Sequence, residues 1–109
     1  MDMSSNKNII WESKTAQQFA EALFAIDNIK VLQNFLSDIM TEKEIAEICS
    51  RLEAARMLQE GNKYTDIIAK TKLSSRTVAR ISDWMKNGHN GYSVVLSQIH
   101  KHHSHTPPA

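Results

Sequence analysis

Residues 64–81 read YTDIIAKTKLSSRTVARI, and this stretch decides the fold. Apolar residues recur at helical spacing on both sides of residues 72–74, which predicts two short helices joined by a tight turn, a helix-turn-helix. Ser74 stands where the second helix needs a side-chain cap. The residues expected to face inward are Ile67, Ile68, Thr71, Leu73, Val78 and Ile81.

The outer side of the second helix is free to contact nucleic acid. Arg76 can donate two hydrogen bonds to a guanine, Ser75 can bond to any base, and the small Ala79 allows close approach to a thymine methyl. The positive N-terminal end of the helix suits a phosphate. The predicted DNA contacts, with the three lysines on the backbone, are Lys70, Lys72, Ser74, Ser75, Arg76, Thr77, Ala79, Arg80 and Lys86.

Two positions depart from the usual helix-turn-helix pattern. Ile68 stands where the first helix usually carries a small residue, and Lys72 stands where the turn usually carries glycine. A left-handed conformation at Lys72 would cost about 1 kcal/mol or more. The alternative interpretation of this stretch is a plain helical hairpin inside a core.

Charge is divided unevenly along the 109 residues, although the net charge is only +1. Residues 1–60 hold 6 Lys and Arg against 10 Asp and Glu, a net −4, whereas residues 61–109 hold 7 against 2, a net +5. Because phosphate contacts supply much of the affinity for DNA, the basic half favours nucleic-acid binding. The other interpretation is a chance asymmetry of a solvated surface.

Apolar periodicity predicts one all-α domain at residues 13–101, with the helix-turn-helix at residues 64–87. Thr41 and Glu44 have the spacing of a capping box at the start of the third helix. The six predicted helices cover residues 14–26, 29–39, 42–60, 65–71, 75–87 and 91–102. The third is expected to face the core with Ile45, Ile48, Cys49, Leu52, Ala55 and Leu58.

The composition disfavours several classes of function. The single cysteine, Cys49, cannot form an intrachain disulfide, and its place on an apolar face predicts a buried packing role. No stretch approaches the roughly 18 apolar residues of a membrane span, and the start lacks a signal-peptide pattern, which favours a cytoplasmic protein without a membrane partner. No arrangement of nucleophile and base or phosphate-binding loop points to an enzyme.

Both ends of the chain are expected to lie outside the folded domain. Residues 1–12 are predicted to be a flexible arm, and residues 102–109 a disordered tail. Four histidines near the end could bind zinc or nickel, namely His100, His102, His103 and His105. Because this segment contains two prolines and offers no carboxylate or cysteine partner, no functional metal site is predicted.

Four pieces of sequence between Phe35 and Ile99 resemble the Trp-repressor family, in particular its branch of Trp-repressor-like regulators. In order they are LSDIMTEKEI, RLEAARMLQEG, TVARI and GHNGYSVVLSQI. The resemblance implies a six-helix subunit that intertwines with a second copy, so that the first three helices and the last share one core and two reading heads project from it. Wide apolar faces at residues 14–39 independently favour a homodimer, because so small a monomer would struggle to cover them. Two heads on a twofold axis imply a palindromic operator with half-sites about 34 Å apart.

In the tryptophan-responsive members of that family, the corepressor lies between the third helix and the recognition helix. The effector-binding residues that the resemblance implies are Met40, Thr41, Arg51, Thr77 and Arg80. The two arginines would grip the ligand, the threonine of the recognition helix would form the pocket floor, and the two residues before the third helix would come from the partner subunit.

No cofactor is certain from the sequence, and a tryptophan-like small-molecule corepressor is a candidate that one residue disfavours. Ile81 stands where tryptophan-binding members carry glycine, so its side chain is expected to fill the slot for the ring. The arginines also have simpler roles available, because Arg51 could pair with Glu47 and Arg80 could hold a phosphate.

The leading hypothesis is a dimeric, sequence-specific transcription regulator, most simply a repressor, that binds double-stranded DNA. The alternative is an all-helical adaptor that uses the same basic surface to bind an acidic protein partner.

Overall fold

The computed structural model describes residues 9–104, with side chains for residues 9–99, and in that range the protein is all-helical. Every helix predicted from the sequence is present, with each end within two residues of its predicted place. The helices are α1 (Lys14–Ala25), α2 (Ile29–Ile39), α3 (Glu42–Gln59), α4 (Tyr64–Thr71), α5 (Ser75–Asn87) and α6 (Gly91–Ser104).

Side-chain caps fix where the first three helices begin. Ser13 and Asn28 precede α1 and α2, and their side-chain oxygens accept backbone N–H bonds of 2.9–3.1 Å. Before α3, the Thr41 hydroxyl accepts from the Glu44 N–H at 3.1 Å, and the Glu44 carboxylate accepts from the Thr41 N–H at 2.9 Å. The predicted capping box is therefore confirmed, and the bond from the Thr41 N–H lowers the pKa of Glu44.

The chain divides into two compact units, one up to Glu47 and one from Ile48 onward, and the predicted domain at residues 13–101 spans both. In the first unit, α1 and α2 contain no fully buried residue. Several large apolar side chains are open to solvent there, including Phe24 at 93% exposure and Ile29 at 70%. Among its described residues, the first unit thus contains no buried core.

The second unit has a well-packed core built around the helix-turn-helix. The inward-facing residues predicted from the sequence are confirmed, with Ile68 and Leu73 partly buried at its edge. The helix α3 contributes two completely buried alanines, Ala54 and Ala55, whose small side chains let other helices approach it closely. The buried residues of this unit are Ala54, Ala55, Met57, Ile67, Thr71, Val78, Ile81 and Leu96.

The predicted core face of α3 is partly wrong. Ile48 is 54% exposed and Cys49 is exposed, so the expected buried packing role of the cysteine is not found within the chain. The physical reason is that the core of the second unit meets only the C-terminal half of α3, where alanines and Met57 are buried. Ile48 and Cys49 lie outside that half, whereas Leu52, Ala55 and Leu58 of the predicted face lie in the core or pack against it.

The ends of the chain lie partly outside the described residues. Residues 1–8 of the predicted arm and residues 105–109 of the predicted tail are not described. Residues 9–10 are helical, and a hydrogen-bonded turn at residues 11–12 leads towards α1. The backbone of α6 continues through residues 102–104. The side chains of the histidine-rich segment, including His105, also lie outside the described part.

Candidate nucleic-acid interface

The turn between α4 and α5 is left-handed at Lys72, the position where a helix-turn-helix usually carries glycine. Lys72 has φ 64° and ψ 13°, and its N–H donates to the Ile68 carbonyl at 2.9 Å. The buried Thr71 hydroxyl donates to the Ile67 carbonyl at 2.8 Å and accepts from the Leu73 N–H at 3.3 Å. Thr71 therefore fixes the turn while keeping its own polar group satisfied.

The predicted cap of the recognition helix α5 is confirmed at Ser74. Its hydroxyl accepts from the Thr77 N–H at 3.1 Å and donates to the Thr77 hydroxyl at 3.0 Å. The Ser74 carbonyl accepts from Val78 at 3.1 Å, which starts the helical hydrogen-bond ladder. The hydroxyls of Ser74 and Thr77, two of the predicted DNA contacts, thus bond to each other at the positive end of α5.

The outer face of α5 is exposed along its length. Val78 and Ile81 are completely buried on the inner face, so the helix cannot turn without breaking the core. Thr77 is half-buried, and the remaining predicted DNA contacts are exposed, namely Lys70, Lys72, Ser74, Ser75, Arg76, Ala79, Arg80 and Lys86. Solvent access at these positions is what a duplex would require, and their DNA contacts stay predictions.

An ion-pair network, which the sequence analysis missed, ties α4 to α3. The Glu53 carboxylate of α3 accepts two hydrogen bonds of 2.8 Å from Arg56 and pairs with Lys70 of α4 at 2.9 Å. Arg56 also pairs with Glu60. The hydrogen bonds from Arg56 and Lys70 lower the pKa of Glu53 to about 2.

This network also changes the environment of one predicted DNA contact. The ammonium of Lys70 is already paired with a carboxylate, so less of its charge is available to a phosphate than at Lys72 or Lys86. The spacing of Glu53 and Arg56 on one helix could have been noticed in the sequence. The pairing with Lys70 could not, because it joins helices brought together by the fold.

The residues matched to an effector pocket fall in both units. Met40 and Thr41 precede α3 in the first unit, whereas the other three matched residues lie on α3 and α5 in the second. Burial raises the pKa of Tyr92 on α6, and the nearby positive charge of Arg51 partly offsets this. Ile81 is completely buried in the core of the second unit. The roles of these residues in binding an effector stay predictions.

The described residues show two further properties, one of their helices and one of their metal-binding side chains. None of their helices combines the length and apolar character needed to cross a membrane. Among the same residues, no three histidine, cysteine or carboxylate side chains cluster in a way that could hold a metal ion.

The described fold and the exposed face of α5 define an all-α helix-turn-helix protein. A family profile described as "Trp repressor protein" matches residues 14–100, so the chain belongs to the Trp repressor family. The expected family is thereby confirmed. It is a family of DNA-binding regulators rather than enzymes.

Two relatives support this placement. The uncharacterized protein YerC of Bacillus subtilis (strain 168) is 30% identical over 86 residues, which cover 79% of this chain and 83% of YerC. The crystal structure of a TrpR-like protein from Eubacterium eligens ATCC 27750 superposes with a TM-score of 0.77 at 28% identity, covering 82% of this chain and 92% of that one.

A Staphylococcus aureus crystal structure has the same fold. Its TM-score is 0.75 at 23% identity, with coverage of 81% of this chain and 88% of that one.

Proposed function

We propose that this protein is a sequence-specific transcription regulator of the cytoplasm, acting as a repressor by occupying an operator. The observation that carries the proposal is the division of α5 into two faces. Val78 and Ile81 are completely buried, and Ser75, Arg76 and Ala79 are exposed on the opposite side. A helix held this way by its inner face presents fixed side chains to the major groove.

Arg76 is the residue to which we assign most of the sequence preference. It lies in the first turn of α5, next to the capped positive end of the helix. An arginine at this place can bond to both acceptors of a guanine, which discriminates against other bases by about 1–3 kcal/mol. Lys72 and Lys86 are exposed nearby and would add affinity for the backbone without sequence preference.

We further propose that the regulator is a homodimer. The first unit buries no side chain of α1 or α2, and its apolar residues include the almost fully exposed Phe24. A solvated apolar surface of this kind favours association. A twofold pair of recognition helices would read a palindromic operator, with half-sites about 34 Å apart.

Binding to DNA is tested by selecting genomic fragments with the purified protein and measuring affinity for the recovered site by fluorescence anisotropy. Arg76→Ala is expected to reduce the preference for that site over a scrambled duplex by about 10-fold or more per half-site. Lys14→Ala, an exposed change on α1, is the control with the same loss of charge. If Arg76→Ala keeps the sequence preference of the parent, the assignment of base contacts to the outer face of α5 is wrong. A basic surface that binds an acidic protein partner then becomes the better interpretation.

The dimer is tested separately by analytical ultracentrifugation. Phe24→Glu places a charge in the exposed apolar face and is expected to shift the protein to monomer, because an unpaired charge is costly to bury. Glu21→Gln on the same helix should leave the dimer intact. A parent that sediments as a monomer at micromolar concentration would refute the proposed dimer.

We propose that DNA binding does not depend on tryptophan. The support is the complete burial of Ile81, whose side chain takes part in the core of the second unit. Anisotropy titrations with and without millimolar L-tryptophan should give the same operator affinity. An increase in affinity with tryptophan would show that a pocket forms despite Ile81.

A further inference from the structure

A cleft of about 330 Å³ lies in the second unit, beside the recognition helix. Leu58 and Met85 are its apolar lining residues, and the other residues that line it, each with an ammonium or a hydroxyl group on its side chain, are Tyr64, Ser82, Lys86 and Ser93. No carboxylate lines the cleft. A surface that offers one positive charge and several hydroxyl donors suits an oxyanion such as a phosphate.

The cleft lies on the same side of α5 as two of the predicted base contacts. Ser82 and Lys86 follow Ser75 and Ala79 at helical spacing, so all four lie along one side of α5. The rise of the helix places Lys86 about 10 Å from Ala79 along the axis. The major groove is about 12 Å wide. If Ala79 contacts a base there, the phosphates along the edge of the groove would therefore lie close to this side of α5.

The start of α6 adds a second favourable feature. Ser93 is the third residue of α6, and the first turn of this helix carries no acidic residue. The N–H groups of a first helical turn carry a partial positive charge, which attracts anions. Asn90, which directly precedes α6, has a positive φ of 65°.

We propose that the cleft binds a backbone phosphate of the duplex. In this assignment, Lys86 supplies the charge, and the hydroxyls of Tyr64, Ser82 and Ser93 donate hydrogen bonds. The inference rests on the proposed DNA-binding function, and it adds three contact residues that the sequence did not indicate. It also gives α4, α5 and α6 a shared role at one phosphate.

The test compares variants on two duplexes, one carrying the selected genomic site and one with the same bases scrambled. Tyr64→Phe and Ser93→Ala each remove one oxygen and should weaken binding about fivefold per subunit on both duplexes. Lys86→Ala should reduce the slope of log affinity against log salt concentration by about 0.9 per subunit. Ser97→Ala, one turn further along α6, and Lys14→Ala are the matched controls. Circular dichroism checks that each variant keeps the helical content of the parent.

The possible outcomes separate the cleft from the proposed function. If the cleft variants lose the same amount of affinity for both duplexes and the control variants lose none, the result supports a phosphate contact. If the cleft variants bind as tightly as the controls while Arg76→Ala loses its sequence preference, the cleft assignment is overturned and the regulator stands. Losses confined to the selected site would also overturn it, because a phosphate contact carries no base preference. A parent that binds neither duplex would remove both proposals.

Discussion

Lys72 offers a sharp test of the helix-turn-helix, because its backbone and its side chain are expected to have opposite effects. Its φ of 64° lies in the left-handed region, which costs an L residue about 1–2 kcal/mol and which glycine adopts freely. Lys72→Gly removes this cost but also makes the unfolded chain more flexible. We therefore expect a net gain of about 0.5–1 kcal/mol in the free energy of unfolding. The lost ammonium should at the same time weaken binding to DNA.

Lys72→Ala is the matched control, since it removes the same charge and keeps the strained backbone. Urea unfolding at one fixed protein concentration measures stability, and anisotropy at several salt concentrations measures affinity. The glycine variant should be the more stable of the two, and both should lose about 0.9 per subunit from the salt slope. Equal stability of the two variants would refute the left-handed turn. If the slope of log affinity against log salt concentration is unchanged in both, Lys72 does not contact the DNA backbone.

Two more predictions concern the ion pairs and the core contacts of the helix-turn-helix. Glu53→Gln should lower the free energy of unfolding by about 1 kcal/mol at pH 6. The pKa of Glu53 is about 2 in the folded protein against an ordinary 4.5, so the extra stability of the parent over the variant should be present above pH 4.5 and shrink as the pH falls towards 2. Urea unfolding from pH 6 to pH 3 measures this difference in the free energy of unfolding. A difference that does not change with pH would contradict the prediction. Ile81→Ala should cost about 2–5 kcal/mol, because the side chain is completely buried. Arg80→Ala, on the exposed side of the same helix, should change stability by less than about 0.5 kcal/mol, and equal losses at both positions would contradict the observed orientation of α5.

The features that the sequence predicted well depend on near neighbours in the chain. The caps at Ser74 and Thr41 involve residues three positions apart, and the inner faces of α4 and α5 follow from apolar spacing alone. The place of Lys72, where a helix-turn-helix usually carries glycine, likewise pointed to a left-handed conformation and its cost. Such features require no knowledge of which helices meet.

The features that the sequence missed depend on contacts between helices. Glu53 and Lys70 are 17 positions apart, and only the packing of α4 on α3 brings them to 2.9 Å. The cleft beside α5 combines residues from four helices, so no local pattern marks it. The exposure of Cys49 was missed for a related reason. Apolar residues at helical spacing indicate that one face of a helix packs against something, but they do not identify the packing partner.

The absence of buried side chains in α1 and α2 bears on how such a regulator responds to its own abundance. In the proposed dimer, these helices gain their apolar contacts only when two chains meet. Scarce chains would remain incompletely folded and exposed to proteases, and ample chains would pair and persist. Operator occupancy would then rise with the square of the chain concentration when the protein is dilute, which gives the regulated gene a steeper switch than one binding site alone provides.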